Sequence, residues 1–168
     1  MKEANWQTFY YSNMSPQFNS FNGGFWQKLE AKLQSWGRST ITGRYDNVYV
    51  AKGGTINELL INYDAERKGS DGKWPNTDEN GFTAGGIACP KYYFMAILCE
   101  KEGTYQAIGF WVEHRENWIK NPTTEELQSC TVSIDELETK TGIDFFCNLS
   151  DEVEVEVEAS KDLNSWGW

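Results

Sequence analysis

The sequence predicts an α+β fold, an antiparallel central sheet with flanking helices, on three observations. An early segment carries apolar residues at helical spacing. Two nearly continuous apolar runs, separated by Glu100-Lys101-Glu102-Gly103, read as a hairpin. Further helix starts follow the strands instead of alternating with them, which argues against a parallel sheet.

The first helix is expected over residues 23–36. Asn22 is a suitable N-cap, because its side-chain oxygen can accept from the free N–H groups of the first turn. Phe21 and Trp26 stand at the spacing of a hydrophobic staple. Trp26, Leu29, Leu33 and Trp36 then recur at steps of three and four, giving one apolar face, and Gly37 suits the end. Strands are expected over 45–51, 92–99 and 105–112, rich in β-branched and aromatic residues. The last two are apolar almost throughout, so their sheet should be covered on both faces. Residues 66–86 are rich in Gly, Asn, Asp and Lys and read as a surface loop insertion between two strands.

A second helix should open at Ser133, where Ser133 and Glu136 form a capping-box pattern, and close at Gly142. Residues 152–158 alternate Glu and Val, which suggests a strand, but follow a Ser-Asp-Glu start, which favours a helix. A helix is expected there. Two tryptophans in the final Asn164-Ser165-Trp166-Gly167-Trp168 suggest a tail that docks on the body.

The 168 residues suit a single domain, 1–168, with 39% hydrophobic and 24% charged residues. No apolar run approaches the ~20 residues that span a bilayer. The first residues lack the apolar stretch of a signal peptide, so any export signal is expected upstream. Net charge is −10, and no basic run is present, which weighs against a conventional nucleic-acid binder unless a metal ion supplies the positive charge. Cys89, Cys99, Cys130 and Cys147 include no C-x-x-C pair, and with one histidine in the chain a zinc cluster is disfavoured. Two disulfides, or four small buried apolar residues, both remain open.

The candidate chemistry lies in residues 9–30. Asn13, Asn22 and Glu30 offer two amide oxygens and one carboxylate, the donor type that suits a hard cation. Each also has a plain structural explanation: a turn before Pro16 for Asn13, a helix cap for Asn22, and a helix flank at the edge of the core for Glu30.

The block as a whole resembles the DNA/RNA non-specific endonuclease family, the ββα-metal (His-Me finger) nucleases of the Serratia nuclease type. Ser12-Asn13-Met14-Ser15-Pro16-Gln17 matches one of its segments, and Asn22-Gly23-Gly24-Phe25-Trp26-Gln27-Lys28-Leu29-Glu30 matches its Asn-x-Gly-x-Trp-x-x-Leu-Glu pattern. Val48-Tyr49-Val50 with Gly53, Pro90-Lys91-Tyr92-Tyr93, and Ser133-Ile134-Asp135-Glu136-Leu137-Glu138 through Thr141-Gly142-Ile143-Asp144-Phe145-Phe146 resemble later ones. The likeness runs from about Thr8 to Val157. Lys52 departs from it, since many members carry threonine there.

The resemblance implies a metal-dependent, non-specific DNA/RNA endonuclease. Asn22 would ligate one Mg²⁺ (or Mn²⁺), Glu30 would hold a water bound to that ion, and Asn13 would orient the site. The partners implied are the DNA and RNA backbone, with a homodimer left open and no membrane. The parent protein would be secreted, periplasmic or at the cell surface. The family's Asp-Arg-Gly-His segment, whose histidine is the general base, has no counterpart in residues 1–8. The chain therefore reads as the C-terminal portion of such a nuclease, inactive or feeble without its N-terminal segment. His114 reads as a surface histidine at a strand end, with replacement of the missing base as the rival role.

Two other classes compete. Eight tryptophans and eight tyrosines could stack on sugars or unpaired bases in a non-catalytic nucleic-acid or carbohydrate binding module. The acidity also suits a mimic of nucleic acid that binds a basic partner.

Overall fold

The computed structural model describes residues 14–37 and 44–168. Its centre is the expected hairpin. Strands β2 (Tyr92–Lys101) and β3 (Thr104–Glu113) pair antiparallel from Tyr92↔Glu113 to Lys101↔Thr104. Both strands run further than the apolar pattern suggests, because the turn needs only Glu102 and Gly103. These two residues have φ of 51° and 79°, the left-handed geometry that matches strand twist in a two-residue hairpin. Strand β1 occupies Asn47–Gly54, later than the expected 45–51, and pairs with β2 from Asn47↔Glu100 to Gly54↔Tyr93. Strand β4 (Thr131–Val132) pairs with β3, giving a four-stranded antiparallel sheet in the order β1-β2-β3-β4.

Side chains alternate across the sheet, and both faces are covered. Met95, Ile97, Ile108, Phe110 and Val112 point to one side, where Phe21, Phe25, Trp26, Leu29 and Trp36 pack. Phe94, Ala96, Leu98 and Ala107 point to the other, beneath Ile134, Leu137, Phe145 and Val157.

The first helix departs from its expectation. It is already helical at residues 19 and 20 and passes through a π-helical segment, Phe21–Trp26, before α1 (Gln27–Gly37). Asn22 is therefore not an N-cap: its own N–H donates to Phe18 O at 2.9 Å. The N–H of Gln27 reaches back five residues to the Asn22 carbonyl. Gly23 and Gly24 hold α-helical geometry weakly, which makes a widened turn cheap here. Gly24 also lets the helix approach the chain closely, since a Cβ there would stand 3.3 Å from Lys120 Cα. Phe21 and Trp26 do meet, ring on ring at 5.6 Å, as partners across the wide turn and not as a staple around a cap.

Between β1 and β2, residues 55–91 contain no named strand or helix, and residues 66–86 lie within this connection. Isolated bridges Leu59↔Pro90, Thr77↔Thr83 and Phe82↔Ala88 organise it around a small cluster of Tyr63, Ala65 and Cys89. After β3 come α2 (Thr124–Gln128), α3 (Ile134–Thr141), α4 (Asp151–Ala159) and a 3₁₀ turn, Leu163–Trp166. The Ser133–Glu136 capping box is formed, and Gly142 closes α3 at φ 69°. Segment 152–158 is helical, as expected. The tail docks: Trp166 is buried against Trp36, and Trp168 meets the Trp36 ring edge to face. All four cysteines are free thiols, two of them buried in the core. Among the described residues no helix is long and apolar enough to cross a membrane.

Candidate active site

The wide turn decides which side chains face outward. When a turn bonds five residues back, positions four and five along both fall beneath the first. Phe21, Phe25 and Trp26 are thus all buried, and the segment between them carries Asn22 into solvent. Glu30 follows eight residues later at the edge of the core, with 32% of its side chain exposed. Its carboxylate accepts from Lys52 Nζ at 2.5 Å. Asn13, the third candidate, lies outside the described residues.

Lys52 is a residue that sequence reasoning did not bring to the site; alternation along β1 becomes a signal for it once the face under the helix is known. Val48, Val50 and Lys52 alternate onto one face of β1, and Val48 packs in the cluster beneath the helix. A charged residue on that face, at the far end of the strand, has to meet the helix or solvent, and here it meets Glu30.

The polypeptide leading into the helix is tied to the body at four points. Ser15 Oγ and Tyr93 Oη are 2.5 Å apart. Cys89 Sγ lies 3.3 Å from Pro16 O. Phe18 N donates to His114 Nε2 at 3.0 Å. Asn19 N donates to Glu66 Oε2 at 2.9 Å, so a carboxylate from the β1–β2 connection satisfies a free N–H in the first turn. Burial pushes the Tyr93 hydroxyl up to about 12, so it stays protonated.

His114 requires a correction. It is not a surface histidine: 1% of it is exposed. Its backbone N–H continues the pairing past the end of β3 by donating to Lys91 O, which turns the side chain inward. The ring sits among Phe18, Phe21, Tyr63 and Tyr93. Nε2 accepts from Phe18 N–H, so Nδ1 carries the proton and donates to Pro90 O at 3.0 Å. Burial lowers its pKa to about 4. Both nitrogens are engaged and the ring is neutral, so it has no free lone pair with which to activate a water. Its work is to hold the approach to the Asn22 helix.

Of the aromatic side chains that could stack on a ligand, Trp26, Trp36 and Trp166 are core residues, and Tyr49 and Trp74 are exposed.

Residues 1–152 match the model of the family described as DNA/RNA non-specific endonuclease. The chain is similar to nuclease C1 of Cunninghamella echinulata var. echinulata, 32% identical over 145 residues, covering 85% of this chain and 50% of that one. It is 28% identical to the mitochondrial nuclease EXOG of Xenopus laevis over 152 residues, covering 88% of this chain and 37% of that one. It is 29% identical to the mitochondrial endonuclease G of Bos taurus over 145 residues, covering 84% of this chain and 42% of that one. The chain thus spans half or less of the length of these relatives.

Proposed function

Since the chain belongs to the DNA/RNA non-specific endonuclease family, we propose that it forms the metal-holding part of a ββα-metal nuclease and takes its general base from outside these 168 residues. The observation that carries the first half is the exposed Asn22 on a wide turn whose incoming segment is tied to the body at four points, with Glu30 on the same helix. The observation that carries the second is His114, the one histidine of the chain, which the core occupies.

The donors fit a hard divalent cation. An amide oxygen and a carboxylate are the ligand type that Mg²⁺ or Mn²⁺ prefers. Glu30 already attracts a cationic partner, the Lys52 ammonium. Asn22 would ligate the ion, Glu30 would fix its hydration shell, and Asn13 would orient the site by hydrogen bonding. The bound metal would polarise the scissile phosphate and stabilise the leaving 3′-oxygen. Contacts of this kind engage the backbone and not the bases, which accounts for action on both DNA and RNA without sequence preference. In a chain of net charge −10, Lys52 adds a positive charge where the phosphate must approach. The parent is proposed to act outside the cytoplasm. Two of the relatives are mitochondrial by name, so the destination differs within the family.

The test is cleavage of plasmid DNA and of RNA in Mg²⁺, in Mn²⁺ and in EDTA, each with and without imidazole as an added base. A missing base typically costs ~10²–10⁴-fold in rate, so the chain alone should be inactive or feeble. Imidazole should restore part of the rate in metal only, and Asn22→Ala should remove that gain. Full-rate cutting without imidazole would refute the missing base, and cutting in EDTA would refute the metal site.

A further inference from the structure

We propose that the carboxylates between α3 and α4 form a second cation site, distinct from the Asn22 helix and on the opposite face of the sheet, which binds Ca²⁺ as a structural ion. Asp135 and Glu138 lie three residues apart on α3, so they share a face. Glu158 faces them from α4, and one carboxylate oxygen from each of the three lies within 4.8 Å of the others. Donors on opposite sides of one Ca²⁺ stand at most ~5 Å apart, twice a bond of 2.3–2.6 Å, so the cluster is of the right size.

Glu158 is buried, 7% exposed, and its Oε1 has no hydrogen-bond partner. Glu154, one turn earlier on α4, also has an Oε1 without a partner. Buried carboxylate oxygens are costly unless something compensates them. Here the surroundings make the cost larger. Burial first, and then the neighbouring carboxylates of Glu138, Glu154, Asp135 and Asp144, raise the Glu158 pKa to about 7. No cation of the protein is recorded on these groups: the two ion pairs of the described residues are Lys52–Glu30 and Arg115–Glu113. Glu138 Oε1 accepts from Phe145 N at 2.7 Å, which fixes that side chain and leaves Oε2 for an ion.

The choice of cation follows from the donors. A set composed wholly of carboxylates on two packed helices suits Ca²⁺, which accepts many oxygens in irregular geometry. Mg²⁺ keeps its waters and demands a tight octahedron. An ion here would join α3 to α4, which otherwise meet through Leu137, Val153 and Val157.

The experiment is thermal unfolding of the full chain at pH 8 in EDTA and in millimolar Ca²⁺, for wild type, Asn22→Ala, Glu158→Gln and Asp135→Asn. At a hundredfold excess over Kd, Ca²⁺ should raise Tm by roughly 5–10 °C. Asn22→Ala should keep the shift, and Glu158→Gln should lose it. In EDTA, Glu158→Gln should be more stable than wild type, since it removes the buried charge. Asp135 is exposed, so Asp135→Asn should fold normally and still weaken the shift, which covers a failure of Glu158→Gln to fold. Absence of a Ca²⁺ shift in wild type would overturn the proposal. A shift lost in Asn22→Ala and kept in Asp135→Asn would also overturn it, by assigning the ion to the nuclease site. Neither result bears on cleavage, so the nuclease reading stands or falls separately.

Discussion

His114 shows how one side chain can be misread from its neighbours and then explain them. Glu113, Arg115 and Glu116 around it suggest solvent, yet the ring is inside. Its folded pKa of about 4 lies below the ordinary 6.5. The unfolded chain therefore takes up a proton first as pH falls, and the native state loses stability between about pH 6.5 and 4. The slope from this one group approaches ~1.4 kcal/mol per pH unit. Glu158, its pKa raised to about 7 chiefly by burial, contributes a slope of opposite sign over an overlapping range, so denaturant titrations should show the His114 contribution as the difference between wild type and a variant without it. His114→Gln, which cannot be charged, is that variant, and a slope equal to that of wild type would remove His114 from the account. Lys52 supports a second expectation. Its pair with Glu30 is half exposed, so losing it should cost no more than ~1 kcal/mol of stability. The ammonium also opposes a divalent ion near Glu30. Lys52→Thr should therefore bind Mn²⁺ severalfold more tightly by paramagnetic titration, and an equal or weaker affinity would show that Lys52 does not compete.

At the scale of elements, the strand end that carries Lys52 depends on a close approach. A Cβ on Gly54 would lie 2.5 Å from Pro90 Cγ, and Pro90 is the residue whose carbonyl receives His114. Gly54→Ala should push these segments apart and cost about 1–3 kcal/mol, with a matching fall in Tm. A variant as stable as wild type would mean that the β1–β2 connection yields freely. Elements written in local chemistry were legible in the sequence: the hairpin in its paired apolar runs, α3 in its capping box, α4 in its Ser-Asp-Glu start. The first helix was legible as a helix but not as a π turn, because Phe21, Trp26 and Asn22 fit a capped α-helix equally well. Of the candidate site, Asn22 and Glu30 could be named from the motif. Lys52 required knowing which face of β1 the helix covers. His114, Glu66 and Tyr93 act over separations of 96, 47 and 78 residues, which no local pattern records.

At the scale of the molecule, the two sheet faces are covered by helices with different polar side chains. The helix with Asn22 and Glu30 lies on one, and the acidic pair of helices lies on the other. The β2–β3 hairpin is the common floor, and it is also the most local part of the sheet, closed by two residues. The tie from Phe18 to His114 has the opposite character, since it joins residues 96 apart. Loop closure over such a span comes late, after local pairing has formed a surface to close upon. Pulse-labelled hydrogen exchange during refolding should therefore protect the amides of 92–113 before those of 19–37, and simultaneous protection would contradict this order. During synthesis the effect is stronger. The Asn22 segment leaves the ribosome first, but its anchor follows some ninety residues later, at ~5–20 residues per second. For that interval of several seconds the nascent chain carries the Asn22 segment without the tie that fixes its approach to the sheet. If the proposed function holds, a nuclease assembled on that connectivity would stay unarmed while its message is still being read.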